Sequence, residues 1–395
     1  MINPYSGYVI SFGIALLAYS LGWSGLYPRL SSSLLVFLFL TILLHFLLSL
    51  YWKQKIKTPN HFVAPLFRPV NVTLFIYALW TVDFIYEGGI PLIKILFNQS
   101  YNYRLFGIPS LHVFTVTFGS FYTVYLFALF ISSGKRLYFI LYLINLFSAL
   151  LIYSRAMLIF NVVASTLVFF YLSTSVTWRR FSFLLVGFTL LIYLFGILGT
   201  LRVSFENKRT YEPGIFMDIG EASPGFRESM VPKEFFWAYI YLSSPLANLQ
   251  HNINTFQVPP FSIGRLVQHI NNEMLFDFVS KRMNRLFHVN RAAENTLPGK
   301  PFNVSTVYSR SFSYQGWIGM GMMAIVILIF PLLYSQILPV NTYGLTGLAI
   351  LSTGYLFLFY DNTIRFTGLG LQLVYPFVLP WGEKMTTWIH HKISQ

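Results

Sequence analysis

Apolar residues run through this chain in long unbroken stretches, and polar residues fall between the stretches instead of alternating within them. Stretches of roughly 18–20 apolar residues recur along most of the length, each long enough to cross a hydrocarbon core of about 30 Å. A segment in lipid must satisfy its backbone hydrogen bonds internally, so the pattern predicts helices. The short alternating segments of a membrane barrel are not seen. The expected spans are about 7–26, 33–51, 69–86, 111–132, 137–153, 156–172, 182–200, 314–334, 342–360 and 364–381. Residues 137–172 form one apolar stretch that would measure about 54 Å as a single helix, too long for one crossing. It must fold into two helices with "YSR" (153–155) at the turn.

The fold class expected is all-α: a polytopic membrane bundle of about ten transmembrane helices with one large, partly helical loop. Residues 1–200 would carry seven helices and a medium loop at 87–110. Residues 201–313 would form the large loop, and 314–395 the last three helices and a tail. Within the large loop, "EFFWAYIYLSSPLANL" (234–249) is expected to lie in the membrane interface or re-enter it. Between Ile263 and Leu286 apolar residues recur at helical spacing with Arg282 and Arg285 nearby, an amphipathic helix. Three placements are open to it: on the membrane surface, capping the bundle, or against the rest of the loop.

Composition sharpens the class. The chain has 395 residues, of which 55% are hydrophobic and 10% charged, far from a soluble average. Its N-terminus "MINPYSG" lacks the basic region of a cleaved signal peptide, so the first apolar segment reads as a retained helix. With no cysteine, disulfides and thiol catalysis are excluded. A net charge of +14 raises the question of nucleic acid, but the basic residues divide by side of the membrane. "WKQKIK" (52–57), Arg68, Lys135, Arg136, Arg179, Arg180, Lys384 and Lys392 all fall on one side, which the positive-inside rule makes cytoplasmic. Both termini are then cytoplasmic, no nucleic-acid partner is expected, and the large loop is outside.

Arginines recur at the outer helix ends: Arg104, Arg155, Arg202, Arg310 and Arg365. Interfacial anchoring accounts for such a level. So does a fixed cationic surface facing a lipid phosphate or pyrophosphate. Arg155, Arg202 and Arg310, with Arg104 next, are the candidates for that second role. Glu206 and His251 are the candidate catalytic bases, with Asp361 and His112 as further options. Trp237, Tyr241 and His112 are candidate sugar or lipid contacts, although aromatic belts at interfaces are common. The sequence has no Asp-x-Asp pair, so no metal or cofactor site is expected.

Several local motifs then fall into one order: "GGIPL" and "YRLFGIP..H" in the medium loop, "SR" at 154–155, Arg202 where the seventh span ends, and "N..T.Y.......GW.G" from Asn303. In this the chain resembles the Wzy-type O-antigen polymerases, also called oligosaccharide repeat-unit polymerases, and more distantly the O-antigen ligases. The resemblance covers most of the chain. It implies a C-type glycosyltransferase in the bacterial inner membrane, working at the periplasmic face on undecaprenyl-pyrophosphate-linked oligosaccharides. The growing glycan would move to a newly flipped repeat unit, with a flippase and a chain-length regulator as partners alongside membrane lipids. One departure weighs against the ligases: their motif histidine would fall near Ser305, and no histidine lies between His288 and His390. A lipid-linked-sugar flippase is the rival from another class. It would be expected to show repeated halves and charges inside the spans.

Overall fold

The computed structural model describes residues 2–55, 65, 67–97, 106–173, 214–289, 291–298 and 302–380, with scattered positions from 178 to 200. The described residues are helical, with no strand beyond the single bridge of Ser24 and Ala222. In order, the longer helices are α1 (Pro4–Ser20), α2 (Ser32–Lys55), α3 (Pro69–Tyr86), α4 (Leu111–Ser133), α5 (Arg136–Leu151) and α6 (Arg155–Leu172). Then come α7 (Phe235–Thr255), α8 (Ile263–His269), α9 (Asp277–Phe287), α10 (Ser309–Ile337) and α11 (Thr342–Leu356). Local chemistry sets their ends. Asn3 and Ser6 form a reciprocal capping box around Pro4. Asn341 caps α11, and Gly134 closes α4 in the left-handed conformation.

Five helices among the described residues are long and apolar enough to cross a membrane: Ser32–Gln54, Pro69–Tyr86, Leu111–Ser133, Arg155–Leu172 and Ser309–Ile337. The chain is a membrane protein. Other expected spans take shorter forms. The first ends at Ser20, the fifth is Arg136–Leu151, and the ninth is the 15-residue α11. The last is a shorter apolar helix, Thr367–Pro380, with a 3-10 turn over Leu371–Val374. The seventh, 182–200, lies only partly within the described residues.

The central helix is α4, whose most apolar window is 72% buried, against 28% for α2 at the edge. α6 and α11 run antiparallel: Phe160 meets Phe357 edge-on (4.5 Å), and the Tyr171 hydroxyl donates to Ser352 Oγ (2.7 Å). The start of α6 therefore lies at the same end of the bundle as the turn after α11. The "YSR" stretch does separate two helices. Tyr153 adopts a left-handed conformation (φ 55°) and Ser154 caps α6.

The aromatic segment expected to lie in the interface or re-enter it is packed against other parts of the protein. α7 contacts α1 and α10, and its first turns join a second core with Phe216, Phe226 and Trp23. α10 is broken. Gln315 and Gly316 leave helical geometry (Gly316 φ 58°), and the Ser311 carbonyl folds against Gly319. A straight helix would separate residues 311 and 319 by about 12 Å. A Cβ on Gly319 would collide with that carbonyl, whereas one on Gly321, in the same helix, would meet nothing within 4 Å. Gly319→Ala is expected to lose about 1–3 kcal/mol of stability. Gly321→Ala should leave the thermal unfolding midpoint of the detergent-purified protein unchanged.

Candidate functional site

The site forms where the described end of the large loop meets the start of α10 and the turn after α11. Two asparagines of α7, one helical turn apart, hold the loop segments 291–298 and 302–304. Asn248 Oδ1 accepts from Leu297 N (2.8 Å), and its Nδ2 donates to the Phe302 and Val304 carbonyls (3.0 and 2.6 Å). Asn252 Oδ1 accepts from Asn295 N (2.8 Å), and its Nδ2 donates to the Ser309 carbonyl (3.0 Å) and Ser313 Oγ (3.1 Å). The clamp fixes Glu294 against the first turn of α10, where its carboxylate lies 3.0 Å from the Arg310 guanidinium. Asp361 approaches the same guanidinium at 4.0 Å. Burial pushes the Glu294 carboxyl above its ordinary value, with Asp361 and Glu273 adding to the rise and Arg310 and Ser309 opposing it.

Beneath this pair lies a buried ionic cluster. Arg365 is 6% exposed; its guanidinium donates to Asp277 and lies 3.8 Å from Glu273. Arg291 Nε donates to the other oxygen of Glu273 (2.9 Å). Backbone bonds lock the same junction: Asp277 N donates to the Arg365 carbonyl (2.9 Å), and Asn362 Nδ2 to the Glu273 carbonyl (2.7 Å). Residues 270–274 form a π-helical turn that places Glu273 inward, a distortion often found at functional sites. His269, just before it, is fully buried and stacks on Tyr314 (5.5 Å). Burial lowers its imidazole to about 4, so it is neutral at pH 7. Neither of its ring nitrogens has a hydrogen-bond partner among the described residues, nor does either amide atom of Gln315. Taken together, Glu273, Asp277, Glu294 and Asp361 balance Arg291, Arg310, Arg365 and Lys281.

The residues expected from sequence separate into distinct settings. Arg310 is at the centre, but already paired. Arg155 lies at the same end of the bundle, exposed, on the first turn of α6 and over the Tyr153 ring (5.8 Å). No carboxylate pairs with it among the described residues. A cation at a helix N-terminus is also opposed by the helix dipole, so an anion there would be doubly favoured. Tyr241 stacks on Tyr360 (6.1 Å), next to Asp361. His251 is half-buried beside Asn252. Trp237 offers no free face: it lies flat on Phe216 (3.4 Å), and its indole donates to Thr200 Oγ1 (2.9 Å). His112 is tied elsewhere, its Nδ1 donating to the buried Asp83 (2.9 Å), which also accepts from Ile108 N (3.0 Å). Arg104, Arg202 and Glu206 lie outside the described residues.

Glu294, Glu273 and Asp277 were not among the sequence candidates. One available signal was the acidic group of the large loop, set against arginines at 291, 310 and 365. Another was the Asn248–Asn252 pair, one turn apart on a helix whose first half is apolar and aromatic. No group of three or more His, Asp or Glu side chains among the described residues could hold a metal ion. Arg365→Ala would take from the buried Asp277 its nearest cation and leave Glu273 with Arg291 alone, and is expected to lose on the order of 3–5 kcal/mol. Arg155→Ala, at an exposed position, should stay within about 0.5 kcal/mol. Thermal unfolding of the two variants side by side checks this. Compared with protein-family models, curated proteins and solved structures, the chain finds no match in any of the three.

Proposed function

We propose that this chain is a periplasmic-face polymerase that joins undecaprenyl-pyrophosphate-linked oligosaccharide repeat units. The observation that carries the reading is the Glu294–Arg310 pair, set at the end of the bundle where Arg155 has no counter-charge among the described residues. A sugar hydroxyl attacking an anomeric carbon must lose a proton, and the departing diphosphate gains charge. Glu294 takes the proton from the acceptor hydroxyl. The hydroxyl oxygen forms its bond to the anomeric carbon, and the carbon–oxygen bond to the diphosphate breaks, its electron pair leaving with undecaprenyl pyrophosphate. A carboxyl raised toward neutrality is a better base than an ordinary one.

The pair also couples the two halves of the step. While Glu294 is ionised, it neutralises Arg310. Once protonated it releases that guanidinium, which then pairs with the leaving diphosphate beside Arg155. Arg202 and Arg104 are the further cations proposed for the diphosphate. Tyr241, stacked on Tyr360 beside Asp361, is the sugar contact that the geometry favours.

The isosteric Glu294→Gln keeps a hydrogen-bond partner for Arg310 but cannot accept a proton. It is expected to lower polymerisation on the order of 10²–10⁴-fold. The parent rate should rise with pH through a carboxyl titration placed above the ordinary value near 4.3, and the variant should lack that limb. Arg155→Ala and Arg202→Ala should abolish long glycan at unchanged protein abundance. Gel analysis of surface glycan length reads all three. Normal ladders in Glu294→Gln would remove the base, and normal ladders in both arginine variants would remove the diphosphate role. A deletion strain should still carry single repeat units; their loss would point to a flippase or ligase.

A further inference from the structure

The amphipathic helix pair α8–α9 is turned inside out relative to a soluble protein. Its protein-facing side is polar: Asn272, Glu273, Asp277 and Ser280 are buried there. Its outward side is apolar and basic. Ile263 is 74% exposed, Leu286 72% and Phe287 67%, with Val267 also exposed. Arg282 and Arg285 are exposed among them and have no carboxylate partner among the described residues. Large apolar side chains exposed on two consecutive helices mark an interaction surface.

The surface also has a direction. Val258 rests against Gly316 at the break in α10, and the next residues of α10, Trp317 and Ile318, are exposed. From there the exposed strip continues down a membrane-length helix through Ile325 and Ile329. α8 itself packs against α10, so the apolar face of α8–α9 borders that exposed strip, and its guanidinium groups match anionic headgroups.

We propose that the outward face of α8–α9 lies in the boundary between headgroups and acyl chains of an anionic leaflet, immersing Val267 and Leu286 and setting Arg282 and Arg285 against lipid phosphates. The polar clamp through Arg365 then holds Glu294 and Arg310 close to the headgroup level. The placement does not rest on the glycan reading, since it follows from which face the helices expose.

The chain has no cysteine, so single labels are clean. Val267→Cys, Leu286→Cys and, as an aqueous reference, the exposed Glu228→Cys carry a nitroxide in the full-length protein. The protein is placed in nanodiscs of phosphatidylglycerol or of phosphatidylcholine. At 267 and 286, relaxation by oxygen is expected to exceed relaxation by a water-soluble nickel chelate several-fold, with the opposite order at 228. Immersion should be deeper in phosphatidylglycerol. Adding Arg282→Gln and Arg285→Gln should shift the 286 label toward water in that lipid and leave it unchanged in phosphatidylcholine. Chelate-dominated relaxation at both labels in both lipids would overturn the proposal. So would nitroxide–nitroxide broadening that grows with the number of chains per disc, which would mark a second copy on this face. Immersion indifferent to lipid charge and to the arginine pair would overturn the anionic assignment. Glycan length and label depth are separate readouts, so failure of one is distinguishable from failure of the other.

Discussion

The buried charge of Arg365 governs how the large loop is joined to the membrane helices. A guanidinium removed from water is tolerable only when carboxylates and carbonyls surround it. Asp277, Glu273 and the Asn272 carbonyl do this, all from the loop helices, while Arg365 belongs to the turn before the last apolar helix. Arg365 has no other carboxylate among the described residues, and without it Asp277 keeps only the exposed Lys281 and Glu273 only Arg291. The docking of α8, α9 and the π turn between them is therefore fixed by charge, with the Asp277 backbone N–H and the Asn362 side-chain amide reinforcing the register through bonds to backbone carbonyls. This explains how an amphipathic pair can turn its polar side inward.

From that junction the functional geometry follows. Arg291 shares Glu273 with Arg365, so the strand that carries Glu294 starts from the ionic cluster and is then held by Asn248 and Asn252. Glu294 reaches Arg310 from a partly buried position, and burial lifts its proton affinity. Two kinds of arginine result. Arg291, Arg310 and Arg365 are matched by carboxylates and tie the loop to the helices. Arg155 has no such match among the described residues and meets the unfavourable end of a helix dipole, a setting in which binding an anion is favoured.

The break in α10 gives the membrane part its shape. Continuous helix through Gln315 and Gly316 would carry the chain straight on, whereas the reversal brings Ser311 back against Gly319. Only a residue without a side chain admits that approach. Non-helical backbone is tolerated at such depth when protein covers it. Here Val258 from the loop lies over Gly316, and Gln315 is itself buried.

The sequence by itself determined that this is an all-helical membrane protein, because hydrophobic run length and backbone satisfaction in lipid leave few other solutions. It also placed the turn at "YSR", since an arginine in an apolar run too long for one crossing stands out locally. It gave no means to rank nine acidic residues spread from Glu206 to Glu294, because burial and partner distance are properties of the folded chain. Trp237 and Tyr241 read alike in sequence, yet one is closed inside a core and the other lies beside the site. Which face of α8–α9 turns outward was likewise undecided by periodicity, which shows that a helix has two faces but not what each one meets. Tertiary structure decided these points, because charge pairing between residues nearly a hundred positions apart, such as Asp277 and Arg365, is set by packing and leaves no trace in local spacing.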